Sequence, residues 1–182
     1  MTRYNVDIPE GSIGDFTVKK ITSNYICGRS EPLDTYTVLS KEMNLKNSFG
    51  VYQDIMQDTI REYEEHRPLW DNATGNVLIG GLGIGFSHQK LVNNPKVTSV
   101  TVVEKYQEVI DLVWDYCSKD HTFSVICADI ETWEPTQHYD VGWFDSWIPD
   151  HPTMTKRKYD KFIRNKYSSS CDWIGIWQQI DK

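Results

Sequence analysis

The chain has 182 residues and a formal charge of −7 at pH 7, the length of one domain and an acidic balance that excludes a general nucleic-acid surface. Apolar residues make up 39% and charged residues 25%, ordinary globular proportions with no run long enough to span a membrane. Cys27, Cys117, Cys127 and Cys171 form no C-x-x-C pair, and residues 1–20 carry Asp7, Glu10 and Asp15 instead of an apolar leader, so reduced thiols and a cytoplasmic location are expected.

In chain order, residues 16–21 and 36–39 read as strands. Apolar residues at 51, 52, 55, 56, 60 and 63 then predict an amphipathic helix over 50–63, closed by Pro68. Residues 71–75 form the loop into the core. From there short apolar runs alternate with amphipathic stretches. Strands are expected at 76–79, 97–103, 123–127, 139–144 and 173–177, and helices at 87–92, 106–116 and 159–167. This order predicts an α/β fold, a three-layer α/β/α sandwich with a mostly parallel sheet that stops after the fifth strand. Residues 1–70 read as a small N-terminal extension and 71–182 as the core domain. The N-terminal strands would either complete the sheet or leave an edge that a homodimer partner could cover.

Smaller features read as follows. Cys117 and Cys127 are expected as small core residues. Lys156, Arg157, Lys158, Lys161, Arg164 and Lys166 recur at helical spacing and predict a solvated face. No His, Cys or acid cluster has metal-ligand spacing, and no metal is expected. The five histidines are isolated and read as surface or loop residues, His151 being the one near acids. The seven Trp and ten Tyr suit either core packing or an aromatic-lined pocket.

The informative stretch is residues 76–85, an apolar strand entering Gly81, Gly83 and Gly85 in a G-x-G-x-G pattern. The next apolar strand ends in Glu104. Glycines let backbone approach a ligand closely, and an acid at that strand end can accept hydrogen bonds from ribose hydroxyls. The dinucleotide fingerprint would place a third Gly or Ala at position 86, where this chain has Phe86. The third and fourth strands end at Asp129 and Asp145. An acid at a strand end is often only a helix cap, but here three occur in order.

Over residues 50–177 the pattern resembles the Rossmann-like S-adenosylmethionine-dependent methyltransferases and the related spermidine synthases. The resemblance implies that Gly81, Gly83 and Gly85 pass under the methionine part of the cofactor and that Glu104 takes both ribose hydroxyls. It implies that Asp129 binds the adenine amine, that the backbone of Ile130 reaches a ring nitrogen, and that Asp145 stands beside the sulfonium as the catalytic base. Gly50-Val51-Tyr52-Gln53, Asp58 and Tyr63-Glu64 resemble the stretch before the glycine loop of spermidine synthases, and Asp145-Ser146-Trp147-Ile148-Pro149 their acidic loop. Departures are Glu104-Lys105-Tyr106 in place of Glu-Ile-Asp, Leu82 or Ile84 where the glycine loop carries Asp, and a second loop acid displaced to Asp150. The implied activity is transfer from S-adenosylmethionine to a small-molecule acceptor, an amine among the candidates, with methyl transfer first. Aminopropyl transfer from the decarboxylated cofactor, and a protein that binds or consumes the cofactor without methylating, stay open beside it.

Overall fold

The computed structural model describes residues 4–26, 28–45, 48–148 and 151–178. Cys27, Pro149 and Asp150 lie outside the described residues, as do 179–182.

The N-terminal part is larger than the expected extension of short strands. β1 (Gly11–Ile13), β2 (Phe16–Ile26), β3 (Arg29–Leu45) and β4 (Ser48–Gln57) form a four-stranded antiparallel sheet in sequential order. It stands apart from the parallel sheet and does not complete it. Its inner face presents Phe16, Val18 and Leu39 to the core, with Val18 opposite Leu39. Asp58 fastens it, accepting from the N–H groups of Val6 at 3.0 Å and Thr37 at 2.8 Å.

The helix expected over 50–63 is not there. Residues 48–57 pair with β3, and α1 (Ile60–Asn72) begins only afterwards. The spacing of 51, 52, 55 and 56 fits a helix, but ladder bonds to β3 decide the backbone, a tertiary override of a local pattern. The true start signal is Thr59, whose hydroxyl accepts from the Glu62 N–H at 3.2 Å, half of a capping box. Pro68 sits inside α1 instead of ending it. A proline there removes one ladder bond, and the burial of His66, Leu69 and Trp70 holds the helix across it.

The remaining strands are β5 (Gly75–Gly80), β6 (Val97–Glu104), β7 (Phe123–Cys127), β8 (Tyr139–Phe144) and β9 (Cys171–Ile176). They form one parallel sheet in the order β7-β6-β5-β8-β9. Central strand β5 is buried on both faces, so Val77, Leu78 and Ile79 are all apolar. α1, a 3₁₀ turn (Phe86–Lys90), α2 (Gln107–Val113) and the antiparallel sheet cover one face. α3 (Lys156–Tyr167) covers the other, packing Tyr159, Ile163 and Tyr167 against Leu78, Val103, Phe144 and Ile176. α1 runs across residue 70 and packs its buried residues with those of the parallel sheet.

Two smaller expectations change. Cys117 is buried as expected, whereas Cys127 is exposed because β7 is an edge strand with a half-open face. Arg157, Lys158, Lys161 and Arg164 do form a solvated face of α3, while Lys156 and Lys166 fold back onto Asp160 and Glu134.

Candidate functional site

The chain order reverses between β5 and β8, neighbours in the sheet whose onward connections run to opposite sides, and ligands of open α/β sheets bind beyond the carboxyl ends of the strands at such a point. A cavity of about 300 Å³ lies there. Its floor comes from the strand ends and includes Gly81, Gly83, Glu104, Asp129, Ile130 and Asp145. Its roof comes from the antiparallel sheet, through Phe16, Leu39, Lys41, Ile55 and Met56. Of the residues marked by the sequence, only Gly85 does not line it.

The glycine turn is shaped by its protein neighbours as well as by any ligand. Gly81 has φ +99°, and a Cβ there would lie 2.3 Å from the Asp145 carbonyl oxygen. Gly83 has φ +53°, and a Cβ there would lie 2.4 Å from Met56 Sδ. At Gly85 the Cβ would strike Cys117. Left-handed backbone and close approach thus both demand glycine.

Glu104 is buried, and its two oxygens bind the ends of the loop. Oε2 accepts from the Leu82 N–H at 2.8 Å and Oε1 from the Tyr106 N–H at 2.9 Å. Burial raises its pKa, opposed by these backbone N–H groups and by Lys105. Asp129 is half-exposed: Oδ2 pairs with Lys105 Nζ at 2.8 Å and Oδ1 accepts from the Glu131 N–H at 2.9 Å. Burial pushes its pKa up, but the Lys105 ammonium and the Glu131 N–H outweigh this and hold it below the usual carboxylate range. Ile130 is buried beneath Gly80, and its carbonyl accepts from the Tyr167 hydroxyl at 2.7 Å.

Asp145 follows β8, its N–H donating to the Gly80 carbonyl at 2.8 Å. Its Oδ2 is buried with no hydrogen-bond partner among the described residues. Burial pushes its pKa up to about 7, against the pull of Lys156. His66 Nε2 lies 3.7 Å from that oxygen. His66 is not a surface residue, being 1% exposed and enclosed by Trp70, Phe86 and Trp143. Burial lowers its pKa to about 4. One turn earlier on α1, Glu62 places Oε1 3.4 Å from His66 Nδ1. Burial, then Asp145, raise the Glu62 pKa well above its ordinary value. The sequence carried one overlooked trace of this group, the i,i+4 spacing of Glu62 and His66 behind a helix-start signal.

His88 is also fully buried, packed between Trp114 and Phe123. His151 lines the cavity, its Nε2–H donating to Glu131 Oε1 at 2.8 Å while Nδ1 accepts from the Met154 N–H at 2.9 Å. The aromatic residues serve both the core and the cavity, Phe16 and Tyr159 belonging to both. Trp143 belongs to the core, whereas Phe16, Tyr106, Trp147, Tyr159 and Trp177 line the cavity.

No protein-family model matches the chain, and no curated protein matches it. Among solved structures it is similar to the N-methyltransferase NodS from Bradyrhizobium japonicum WM9, at 22% identity over 45% of this chain and 48% of that one, with a TM-score of 0.39. A structure of DhpI in complex with SAH gives 17% identity over 64% and 55%, with a TM-score of 0.49. An amino pentose methyltransferase from Micromonospora echinaspora with bound SAM gives 11% over 63% and 50%, with a TM-score of 0.46. The match spans about half the length of these structures. By strand order, by parallel direction and by the layers on both faces of its sheet, the chain is a Rossmann-like three-layer α/β/α protein.

Proposed function

We propose that the cavity holds S-adenosylmethionine and that the protein transfers the methyl group to a small-molecule acceptor. One observation carries the reading: the glycine turn, Glu104 and the Asp129–Ile130 pair, found on three different strand ends, meet at a single cavity of about 300 Å³. Glu104 has used one lone pair of each oxygen on backbone N–H groups. A carboxylate oxygen retains a second, and these accept the two ribose hydroxyls. Asp129 accepts the adenine amine through a lone pair left over from its pairing with Lys105. The Ile130 peptide N–H meets a ring nitrogen, and Gly81 and Gly83 leave room for the methionine chain.

The sulfonium is already an activated electrophile, so the protein supplies alignment and exclusion of water. Asp145 takes the proton of the attacking nucleophile, and a carboxylate titrating near neutrality suits that role. Glu104, Asp129, Glu131 and Asp145 all border the cavity, which favours a cationic amine as acceptor. That same acidity favours aminopropyl transfer as the second reading, since the decarboxylated cofactor carries an extra net positive charge. The unpaired thiols of Cys117, Cys127 and Cys171 fit the reducing cytoplasm.

Isothermal titration with S-adenosylmethionine, its decarboxylated form, S-adenosylhomocysteine and NAD tests the reading. S-adenosylmethionine and S-adenosylhomocysteine should bind and NAD should not. Tighter binding of the decarboxylated form would move the reading to aminopropyl transfer, and binding of NAD alone would end both.

A further inference from the structure

Beneath the cavity Glu62, His66 and Asp145 converge from α1 and the end of β8, and one donor atom from each lies within 4.8 Å of the other two. We propose that these three side chains bind a divalent transition-metal ion such as zinc, cobalt or manganese.

The first argument is the state of the imidazole. His66 Nδ1 lies 2.9 Å from the Glu62 carbonyl oxygen. A carbonyl can only accept, so Nδ1 carries a proton, and in the neutral ring Nε2 presents a lone pair toward Asp145 Oδ2, 3.7 Å away. Two electron-rich atoms facing each other at that distance repel unless a cation or a proton lies between them. A backbone carbonyl fixing the far nitrogen is the usual outer-shell arrangement of a metal-binding histidine.

The second argument is the unpartnered oxygens. Glu62 is 2% exposed, and its Oε1 has no hydrogen bond among the described residues, as with Asp145 Oδ2. The indole N–H of Trp177 is close enough to favour the charged form of Glu62, yet makes no hydrogen bond. Buried polar atoms without partners are rare and costly. Lys156, the cation that lowers the Asp145 pKa, is already paired with Asp160. Two unpartnered carboxyl oxygens and an imidazole thus converge in one buried spot, and a divalent ion there would take a donor atom from each.

The third argument is the donor set. One imidazole nitrogen with two carboxylate oxygens suits zinc, manganese, iron or cobalt and is a poor match for magnesium or calcium. Three protein ligands leave a coordination position for water. The ion would tie α1 to the loop after β8.

The test uses the full chain, stripped with chelator and free of nucleoside cofactor, so its outcome is independent of what the cavity above binds. Cobalt(II) titration followed by visible absorption should show one equivalent bound, with zinc displacing it. Glu62→Gln and His66→Gln should each weaken binding ~100-fold or more, while exposed His138→Gln should bind as wild type. X-ray absorption of the wild-type zinc form needs no variant and should show one imidazole and oxygen ligands. Lack of uptake by wild type, undiminished uptake by folded His66→Gln, or sulfur scattering from a cysteine site would each overturn the proposal.

Discussion

Glu104→Gln separates the two tasks assigned to Glu104. The carboxylate receives two backbone N–H groups, from Leu82 and Tyr106, in a buried setting. Glutamine keeps one acceptor oxygen but turns an NH₂ toward the other N–H, leaving a buried donor unpaired at ~1–3 kcal/mol. Neutral glutamine is also spared the desolvation that raises the Glu104 pKa, so the loss should fall toward ~1 kcal/mol, a melting shift of roughly 2–4 °C for a chain of this size. Cofactor binding should suffer more. Replacing a charged acceptor of two ribose hydroxyls removes roughly 2–3 kcal/mol, a fall in affinity of roughly 30- to 150-fold. Calorimetric titration with S-adenosylhomocysteine, well below the melting temperature, reads the second effect free of the first. A folded variant whose affinity stays within about threefold of wild type refutes the ribose role and leaves Glu104 as a brace of the glycine turn.

Three further outcomes follow from other parts of the fold. Gly83→Val puts a β-branched side chain at φ +53° against Met56 Sδ; cofactor binding should disappear and the melting temperature fall, and retained binding would place the ligand elsewhere. Asp145→Asn should leave cofactor affinity within a few-fold but lower kcat by roughly 10²–10⁴, read in a screen of amine acceptors; wild-type turnover would remove it from the chemistry. Burial lowers the His88 pKa from 6.5 to about 4, so between those values the unfolded chain takes a proton that the native state refuses. Stability should therefore fall on acidification through that window, by ~3 kcal/mol at most. Urea midpoints of wild type and His88→Gln should converge as the pH drops, and a constant gap would mean that another group carries the acid sensitivity.

The parallel core was legible because its strands are fully buried and bounded by turn residues. Residues 123–127 and 139–144 coincide with β7 and β8, and the acids at their ends face the cavity as Glu104 does. The N-terminal half was not. Residues 48–57 hold apolar spacing that suits a helix, and only pairing with β3, a partner distant in sequence, makes them a strand. Pro68 misled because a breaker's local cost was outweighed by the burial of His66, Leu69 and Trp70 around it. The Glu62–His66–Asp145 cluster is only half legible for a related reason: Asp145 is far along the chain, and a helix over 50–63 stops short of His66.

The two-sheet construction of the cavity has a consequence for how its specificity can change. The floor residues Glu104, Asp129 and Ile130 follow parallel strands whose order and burial are fixed by the core. Phe16, Lys41, Ile55 and Met56 stand on a separate antiparallel sheet. Met56 packs against the glycine turn, whereas Lys41 and Ile55 are only partly buried and can be exchanged with less disturbance below. If the cavity takes the proposed ligands, mutations at Lys41 and Ile55 should alter the choice of acceptor before they alter the hold on the nucleoside.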